Sequence, residues 1–596
     1  MKKNIRNIVL AKRFLRQRMK FLAFLCAFFT IFTVYSQSVP QDISYTRIYD
    51  FVDELAIDGV IDISSVVKPY TREFIAQKLL EASRKKSLLT KRQRDDLDFF
   101  LNDYALECDT LPKSHLKLVQ NQNWNVAFVQ PAVNYKDDSF KFRVSPLLGI
   151  NILSNDNGII VKRWFGADMQ MTIVNHISVY GSLRDNSFNG NYLNNLPANA
   201  ARLSKPSYLN NLPGCEYKEA EYGGDFSDMK GGIKLFADWG SIGLVKDNII
   251  WGDNYHGSNI ISGRAPSFPM ISLNLKPVSW FELNYIHGWL VSNVIDSTYY
   301  YVENYNNGTE KKYYRPANKF IAANMLTFTP IKKLNISLGN SIIYSERNVQ
   351  AAYFIPIAFY KSIDHLLTKG LGVENQNSQM FANISSRNIK HLHLYGSLFI
   401  DEFSLERLKP DNPENNPISY KVGMNLSNFP FKNISFIGEF TRSNIITYKH
   451  SIETLTWASN GYNLGHYLGD NSQEIYVALN YKPVRSLNIN LSYTNAIHGN
   501  EYEYIRKQIE ETIAQVPLKD ITWRNEIIGL EALYEIWNNA YATFSVEYNN
   551  ARGYDITSPT ISSEVRKDAQ GYLDMYTPAF YQGENITFAI GLGFGF

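Results

Sequence analysis

Two stretches of this sequence gather residue types that could do chemistry together. The first runs Gly243-Leu-Val-Lys-Asp-Asn-Ile-Ile-Trp251-Gly252-Asp253-Asn254-Tyr255-His256-Gly257, with Ser262 and Ser267-Phe268-Pro269 behind it. A flat aromatic ring stacks on the C–H face of a pyranose, while acids and amides beside it take paired hydroxyls, so this mix suits a sugar site. The plainer reading is an interfacial tryptophan of an aromatic girdle followed by a solvated loop. The second stretch is Tyr344-Ser345-Glu346-Arg347-Asn348, then Tyr353–Tyr360, Asn375-Gln376, and Leu394 through Asp401-Glu402-Phe403. Glu346 with Asp401 or Glu402 has the makings of an acid–base pair. Acids next to an arginine more commonly form a structural charge network. The candidate sugar-binding residues are therefore Trp251, Asp253, Asn254, Tyr255, His256, Tyr344, Glu346, Arg347, Asp401 and Glu402. No residue is put forward as catalytic.

Other chemistries lack their residues. There is no Gly-x-Ser-x-Gly, no His-Glu-x-x-His and no phosphate-binding glycine loop. His391 and His393 would share one strand face, as two metal ligands can, but no third ligand accompanies them. Neither a metal nor any other cofactor is expected. Three cysteines in 596 residues build no disulfide framework.

The elements that must carry these stretches announce themselves in the last thirteen residues. In Glu584–Phe596, the residues Ile586, Phe588, Ile590, Leu592, Phe594 and Phe596 alternate with Thr587, Ala589, Gly591, Gly593 and Gly595. A strand points successive side chains to opposite faces, so one face is wholly apolar and the other small. An outer-membrane barrel needs such a strand to close on the first one and leave no edge. The period of two begins near Trp124. Pro-containing turns at Lys276-Pro277, Thr329-Pro330, Phe429-Pro430 and Lys482-Pro483 punctuate it, and shorter turns fall at Asn175-His176, Asp238-Trp239-Gly240, Arg387-Asn388 and Trp537-Asn538. Eight short turns and nine longer loops give 18 antiparallel strands, beginning at about Val161 or a little before. Trp124–Tyr135 also reads as a strand; an even number is required, which leaves that segment to the stopper below the barrel. The recurrent Asn-[Ile/Leu]-[Ser/Thr] at Asn335, Asn383, Asn425, Asn433, Asn490 and Asn585 places an apolar residue toward lipid between two polar ones toward the lumen. Tyr353–Tyr360 is too apolar for a solvated loop, and is expected to fold inward as a constriction or lid.

The start of the chain differs. Residues 1–36 hold eight of the 60 Lys/Arg and none of the 57 Asp/Glu, and Phe21–Val34 is an apolar run. This reads as a signal peptide cleaved after Ser36. The remainder then carries about five net negative charges and offers no basic surface for nucleic acid. Residues 41–115 read as helical: Ile48, Phe51, Val52 and Leu55 share a helical face, Lys68-Pro69-Tyr70-Thr71 opens a second helix, and Thr90 with Gln93 forms a capping box ahead of a third. These make a periplasmic plug, with Val60–Val66 as an extended link. Residues 120–596 form an all-β transmembrane barrel. The small glycine face of the last strand leaves room where the plug could dock.

Taken as a set, Tyr49-Asp-Phe-Val-Asp-Glu-Leu55, Gly59-Val-Ile61, Lys68-Pro-Tyr-Thr-Arg72, the Trp251-Gly252 loop, Tyr344-Ser-Glu-Arg347 and Leu394-Tyr-Gly-Ser with Asp401-Glu-Phe403 resemble the Wzi-type capsule-assembly proteins in the form found in Bacteroidetes. The resemblance implies an 18-stranded barrel with a periplasmic helical bundle, in the outer membrane of a Gram-negative cell. It implies a non-enzymatic, lectin-like role that holds capsular or other surface polysaccharide and assists capsule assembly. The expected partners are that polysaccharide, outer-membrane lipid, and the barrel-insertion machinery acting on the last strand; the expected state is a monomer. The alternative is an outer-membrane channel for oligosaccharides or small solutes.

Overall fold

The computed structural model describes residues 39–596, except 114–116, 128–131, 175, 191–217, 221–222, 305–309, 369–374, 410–414, 501–515 and 557–565. The expected signal peptide, Asn175, and the cysteines Cys26 and Cys215 lie outside the described residues.

Eighteen antiparallel strands close into a barrel. In order they are β1 Phe140–Asn155, β2 Gly158–Ile173, β3 Ile177–Asn189, β4 Gly223–Ala237, β5 Gly240–Asp247 and β6 Phe268–Val278. Next come β7 Phe281–Leu290, β8 Lys319–Ile331, β9 Leu334–Tyr344, β10 Gln376–Ser386, β11 Leu392–Ile400 and β12 Ile418–Ser427. The last are β13 Ile434–Ser443, β14 Ser472–Tyr481, β15 Leu487–Gly499, β16 Ile521–Trp537, β17 Ala540–Gly553 and β18 Gly583–Phe594. Each pairs with its neighbour, and β18 closes on β1 from Phe588↔Ser154 to Phe594↔Leu148. Eight short turns fall at one end, which is the periplasmic end; at the other, β1 and β2 join through the tight turn Asp156-Asn157 and the remaining connections are longer loops. No described helix is long and apolar enough to cross a membrane; the chain crosses with strands.

The first barrel strand starts at Phe140, some twenty residues before the expected start. Trp124–Tyr135 is not one strand either. It folds as the hairpin Trp124–Ala127 and Ala132–Lys136, and the second arm pairs with the periplasmic half of β1. Alternation is the same in such a side hairpin as in a spanning strand, so the pattern could not separate them.

The period-two pattern sets the outer surface. Ile586, Phe588, Ile590 and Leu592 of β18 are exposed, while Asn585 and Thr587 are buried toward the lumen. The same holds around Ile384, exposed between the buried Asn383 and Ser385. Asn433 breaks the rule, because it sits in a turn with a left-handed φ of 64°.

Helices α1 Thr46–Ile57, α2 Arg72–Ser83 and α3 Lys91–Asp103 precede the barrel. The Thr71 hydroxyl caps α2 by accepting from the Phe74 N–H, and Thr90 with Gln93 makes the capping box of α3. The three share a core of Ile48, Val52, Leu55, Ile75, Leu79, Leu97 and Phe100. Val60–Val66 joins no sheet and leads into the two-residue strand Val67–Lys68.

The helices sit in the periplasmic end and are tied to the wall on several sides. Asp42 pairs with Lys230 at 2.8 Å, Asp103 with Arg143 at 3.0 Å, and Glu54 with Lys482 at 2.8 Å. The Tyr45 ring stacks at 4.4 Å on Phe596, which stacks at 4.3 Å on Tyr541. The space at Gly593 is filled by the Tyr541 ring, not by the plug itself. The plug thus docks on the aromatic pair that the glycine admits.

Candidate functional site

The loop between β5 and β6, residues 248–267, does not stay at the mouth. It turns into the lumen, where Ile250 and Trp251 pair antiparallel with Lys68 and Val67 of the plug. Gly252 makes the turn with φ of 99°, and its N–H donates to the Val66 carbonyl at 2.8 Å. Asp253, Tyr255 and His256 then find partners on the wall or the plug, while Asn254 bonds within the loop. The Asp253 carboxylate accepts from Asn383 Nδ2 at 2.7 Å and from the Ser65 hydroxyl. Asn254 Nδ2 donates to the Gly252 carbonyl at 2.8 Å. The Tyr255 hydroxyl donates to Asp53 and lies 3.0 Å from His393 Nδ1, while Arg387 reaches Asp53 at 2.6 Å and Ser65 at 2.8 Å.

The N–H groups of Tyr255 and His256 donate to the two oxygens of Glu439, at 2.7 and 2.9 Å. Lys421 completes that carboxylate at 3.0 Å, and both side chains of the pair are 0% exposed. The His256 ring stacks 4.1 Å above Tyr476 and puts Nδ1 3.1 Å from Glu474. Burial opposes a charged imidazole here, but the Glu474 carboxylate prevails and holds His256 above the usual histidine range. Between plug and loop remains a cavity of about 270 Å³ lined by Asp50, Asp53, Lys68, Asn254, Tyr255 and Arg387.

Trp251 differs from these neighbours. It is 1% exposed and packs edge-on against Phe381 at 5.9 Å, inside a core that includes Ile260, Phe399, Leu455 and Trp457. In this conformation its ring has no face to offer a sugar; it holds the loop down.

The second group is not brought to the first. Cross-strand partners share a face. Tyr285, Asn324, Asn340 and Met380 are one row across β7–β10, and Trp289, Phe320, Tyr344 and Gln376 another. Leu338 and Ile384, exposed on that same face, identify it as the outer surface. Tyr344 thus points away from the lumen, with its hydroxyl 3.0 Å from His287 Nε2. The expectation that Tyr353–Tyr360 folds inward is overturned for the same reason. Tyr353 and Tyr360 are fully buried against Tyr344, Phe320, Ala322 and Ile342, on the outer wall. Helix α4, Tyr360–Thr368, continues this segment.

Glu346 accepts from Asn375 Nδ2 and Gln376 Nε2, both at 3.4 Å, while Arg347 is exposed. Asp401 accepts from Asn377 Nδ2 at 2.9 Å and Gln379 Nε2 at 3.3 Å. Gln376 faces outward and Asn377 inward, because neighbours on a strand oppose each other. Glu346 and Asp401 therefore stand on opposite sides of the wall and do not form an acid–base pair. Burial pushes the Asp401 carboxyl up to about 7. Glu402 is exposed and pairs with Arg407 at 3.0 Å. His391 and His393 also separate: His391 meets Asp58 at 3.0 Å and His393 meets Ser385 at 2.9 Å.

A region not singled out by the sequence reading lies beyond the mouth. The connection between β7 and β8 rises as a hairpin of Ile295–Asn304 and Glu310–Pro316. Tyr299, Tyr300, Tyr301 and Tyr314 are about half exposed on it. Arg315 lies over the Tyr299 and Tyr301 rings at 5.1 and 5.5 Å, and Lys312 over Tyr300 at 4.7 Å. The signal was present: Tyr299-Tyr300-Tyr301 and Lys311-Lys312-Tyr313-Tyr314-Arg315 flank Asn306-Asn307-Gly308, a hairpin-turn sequence. That turn itself lies outside the described residues.

The family profile described as capsule assembly protein Wzi matches residues 241–552. No curated protein sequence matches. Among solved structures, Wzi from Escherichia coli aligns over 94% of this chain and 99% of that one, at 12% identity and a TM-score of 0.50. It is described as an outer membrane protein involved in group 1 capsule assembly and as a carbohydrate-binding β-barrel. OprD from Pseudomonas aeruginosa aligns over 76% and 94% at 9% identity and a TM-score of 0.36. OccK8 (OprE) of the same organism aligns over 76% and 97% at 9% identity and a TM-score of 0.39. At these values the last two carry no argument about transport.

Proposed function

Because the chain belongs to the capsule assembly protein Wzi family, we propose that it holds a surface polysaccharide at the outer face of the outer membrane without chemically altering it. The observation that carries this reading is the contrast between a filled lumen and a displayed aromatic–cationic hairpin. Half-exposed tyrosines with Arg315 and Lys312 beside them supply stacking surfaces and donors, which a pyranose chain bearing acidic groups would use. The description of Escherichia coli Wzi as carbohydrate-binding agrees with it.

The candidates chosen from the sequence take different parts in this proposal. Asp253, Asn254, Tyr255 and His256 position the inner loop, with Trp251 as its apolar anchor. Asp401 and Glu402 lie at the rim, where a glycan strand crossing from the hairpin would pass. Tyr344, Glu346 and Arg347 brace the neighbouring loop: the Asn318 side chain below the hairpin donates to the Arg347 carbonyl at 2.9 Å. A channel would need the plug and the 248–267 loop displaced together, because the two are paired.

The test is binding of the cell's own purified polysaccharide by the full-length barrel in detergent, measured by calorimetry. The triple substitution Tyr299→Ala, Tyr301→Ala and Arg315→Ala should weaken affinity by at least about tenfold, on the order of 1.4 kcal/mol. No binding by the unsubstituted protein, with normal polysaccharide retention on cells lacking it, would remove the reading.

A further inference from the structure

We propose that residues 349–368 form a re-entrant strap lying in the outer leaflet, with lipid acyl chains as its partner. The segment leaves the top of β9 and returns along the outside of β7–β10. Its two buried tyrosines face the wall. Val349 and Ile363 pack there too, while Phe354, Ile355, Ile357 and Phe359 are exposed, Ile357 by 68%, and α4 adds the exposed Leu366 and Leu367. From Val349 to Tyr360 there is no charged residue.

The wall beneath explains why the strap can live in lipid. Asn324 and Asn340 point outward at a depth where the neighbouring outward residues are apolar. An amide facing hydrocarbon is costly unless it is hydrogen-bonded, and irregular backbone at membrane depth is costly unless the protein satisfies it. Here each resolves the other. Asn324 and Asn340 donate to the Ala358 carbonyl at 2.9 and 3.1 Å, and the Tyr360 N–H donates to Asn340 Oδ1 at 2.8 Å. The Tyr285 hydroxyl donates to the Tyr353 carbonyl at 2.9 Å, and the Gln350 N–H donates to the Tyr344 hydroxyl at 3.2 Å. Asn324 is thereby 0% exposed and Asn340 9%.

Lipid is the occupant because the strap's exposed face continues the apolar belt. Leu338 and Ile384, on the rows just below the strap, are exposed as the belt residues of β18 are. The strap replaces the belt where β8 and β9 carry amides, and presents apolar groups in their place.

A nitroxide label at Ile357→Cys reads the surroundings directly. The background is Cys26→Ser, Cys108→Ser and Cys215→Ser, and the full-length barrel is reconstituted in phospholipid vesicles. Ile590→Cys in the belt and Tyr301→Cys in the hairpin are the references, and Phe359→Cys is a second strap site should the first fail to fold. The expected result is a ratio of oxygen to nickel-chelate collisions close to that of Ile590→Cys, and several-fold above that of Tyr301→Cys. A nickel-chelate accessibility matching the hairpin would place the strap in water. Low accessibility to both probes would mean that a protein covers it. Either result overturns the proposal.

Discussion

The loop at 248–267 and the strap at 349–368 leave the same end of the barrel and turn opposite ways, one down the inside of the wall and one down the outside. They are held by different chemistry. Inside, the loop is fixed by charge: Lys421 with Glu439, His256 with Glu474, and Asp253 between Asn383 and Ser65. Outside, the strap is fixed by neutral amides and hydroxyls from Asn324, Asn340, Tyr285 and Tyr344. A lumen packed with protein can pair a buried charge with a partner on another strand. A wall bathed in hydrocarbon offers an ion no partner and no water, so only groups whose hydrogen bonds close locally are tolerated there.

The largest break in this contrast comes from unpairing a charge inside. Lys421→Met leaves Glu439 buried without its cation, and should cost about 3–5 kcal/mol as a fall in the thermal midpoint of the purified barrel. Adding Glu439→Gln, which removes the charge but keeps an acceptor for the Tyr255 and His256 N–H groups, should recover much of that loss; a double variant no better than the single one would mean the pair was not the cause. The outside should respond less. Asn340→Leu orphans the Tyr360 N–H and one bond to Ala358, for about 1–3 kcal/mol. Its signature is local: protease cleavage within 349–368 should speed up while the 248–267 loop stays protected. Equal protection of the strap in Asn340→Leu and the unsubstituted protein would deny the amides their role.

The smallest effect separates the two by pH. Burial raises the Asp42 carboxyl, but Lys230 at 2.8 Å outweighs it and holds the group at about 2, against 3.8 ordinarily. A carboxyl depressed in the folded state contributes fully above its unfolded value and loses that contribution as pH falls through its folded one. Plug docking should therefore weaken between about pH 4 and 2, by about 1 kcal/mol once partial exposure is discounted. Thermal midpoints across that window should fall less for Asp42→Asn than for the unsubstituted protein. Strap protection should not change, since the bonds that fix it to the wall come from neutral amides, hydroxyls and backbone groups.

Much of the barrel was legible in the chain. The eight short turns and the exposed Ile586, Phe588, Ile590 and Leu592 follow from a local rule, and Thr90 with Gln93 marked α3 in advance. The site was legible in part. The polar residues after Trp251 do converge, but on one another and on the plug; Trp251 reads from sequence like a platform and is a core residue, because its neighbour Phe381 lies 130 positions away. The hairpin tyrosines were visible, and only their exposure above the mouth gave them weight. Glu346 and Asp401 show the limit most sharply. Their types suited a pair, and one residue of strand register puts the barrel wall between them.

The sequence by itself determined that the chain crosses the membrane as strands with one apolar face, since side-chain alternation is a property of the extended backbone and needs no distant partner. Only the tertiary structure decided which side of the wall each apolar loop covers. Tyr353–Tyr360 and Ile249–Trp251 are both apolar enough to leave water, and both had a wall to fold against. The choice was made by partners far along the chain: Val67 and Asn383 draw one segment in, and Asn324 and Tyr285 hold the other outside.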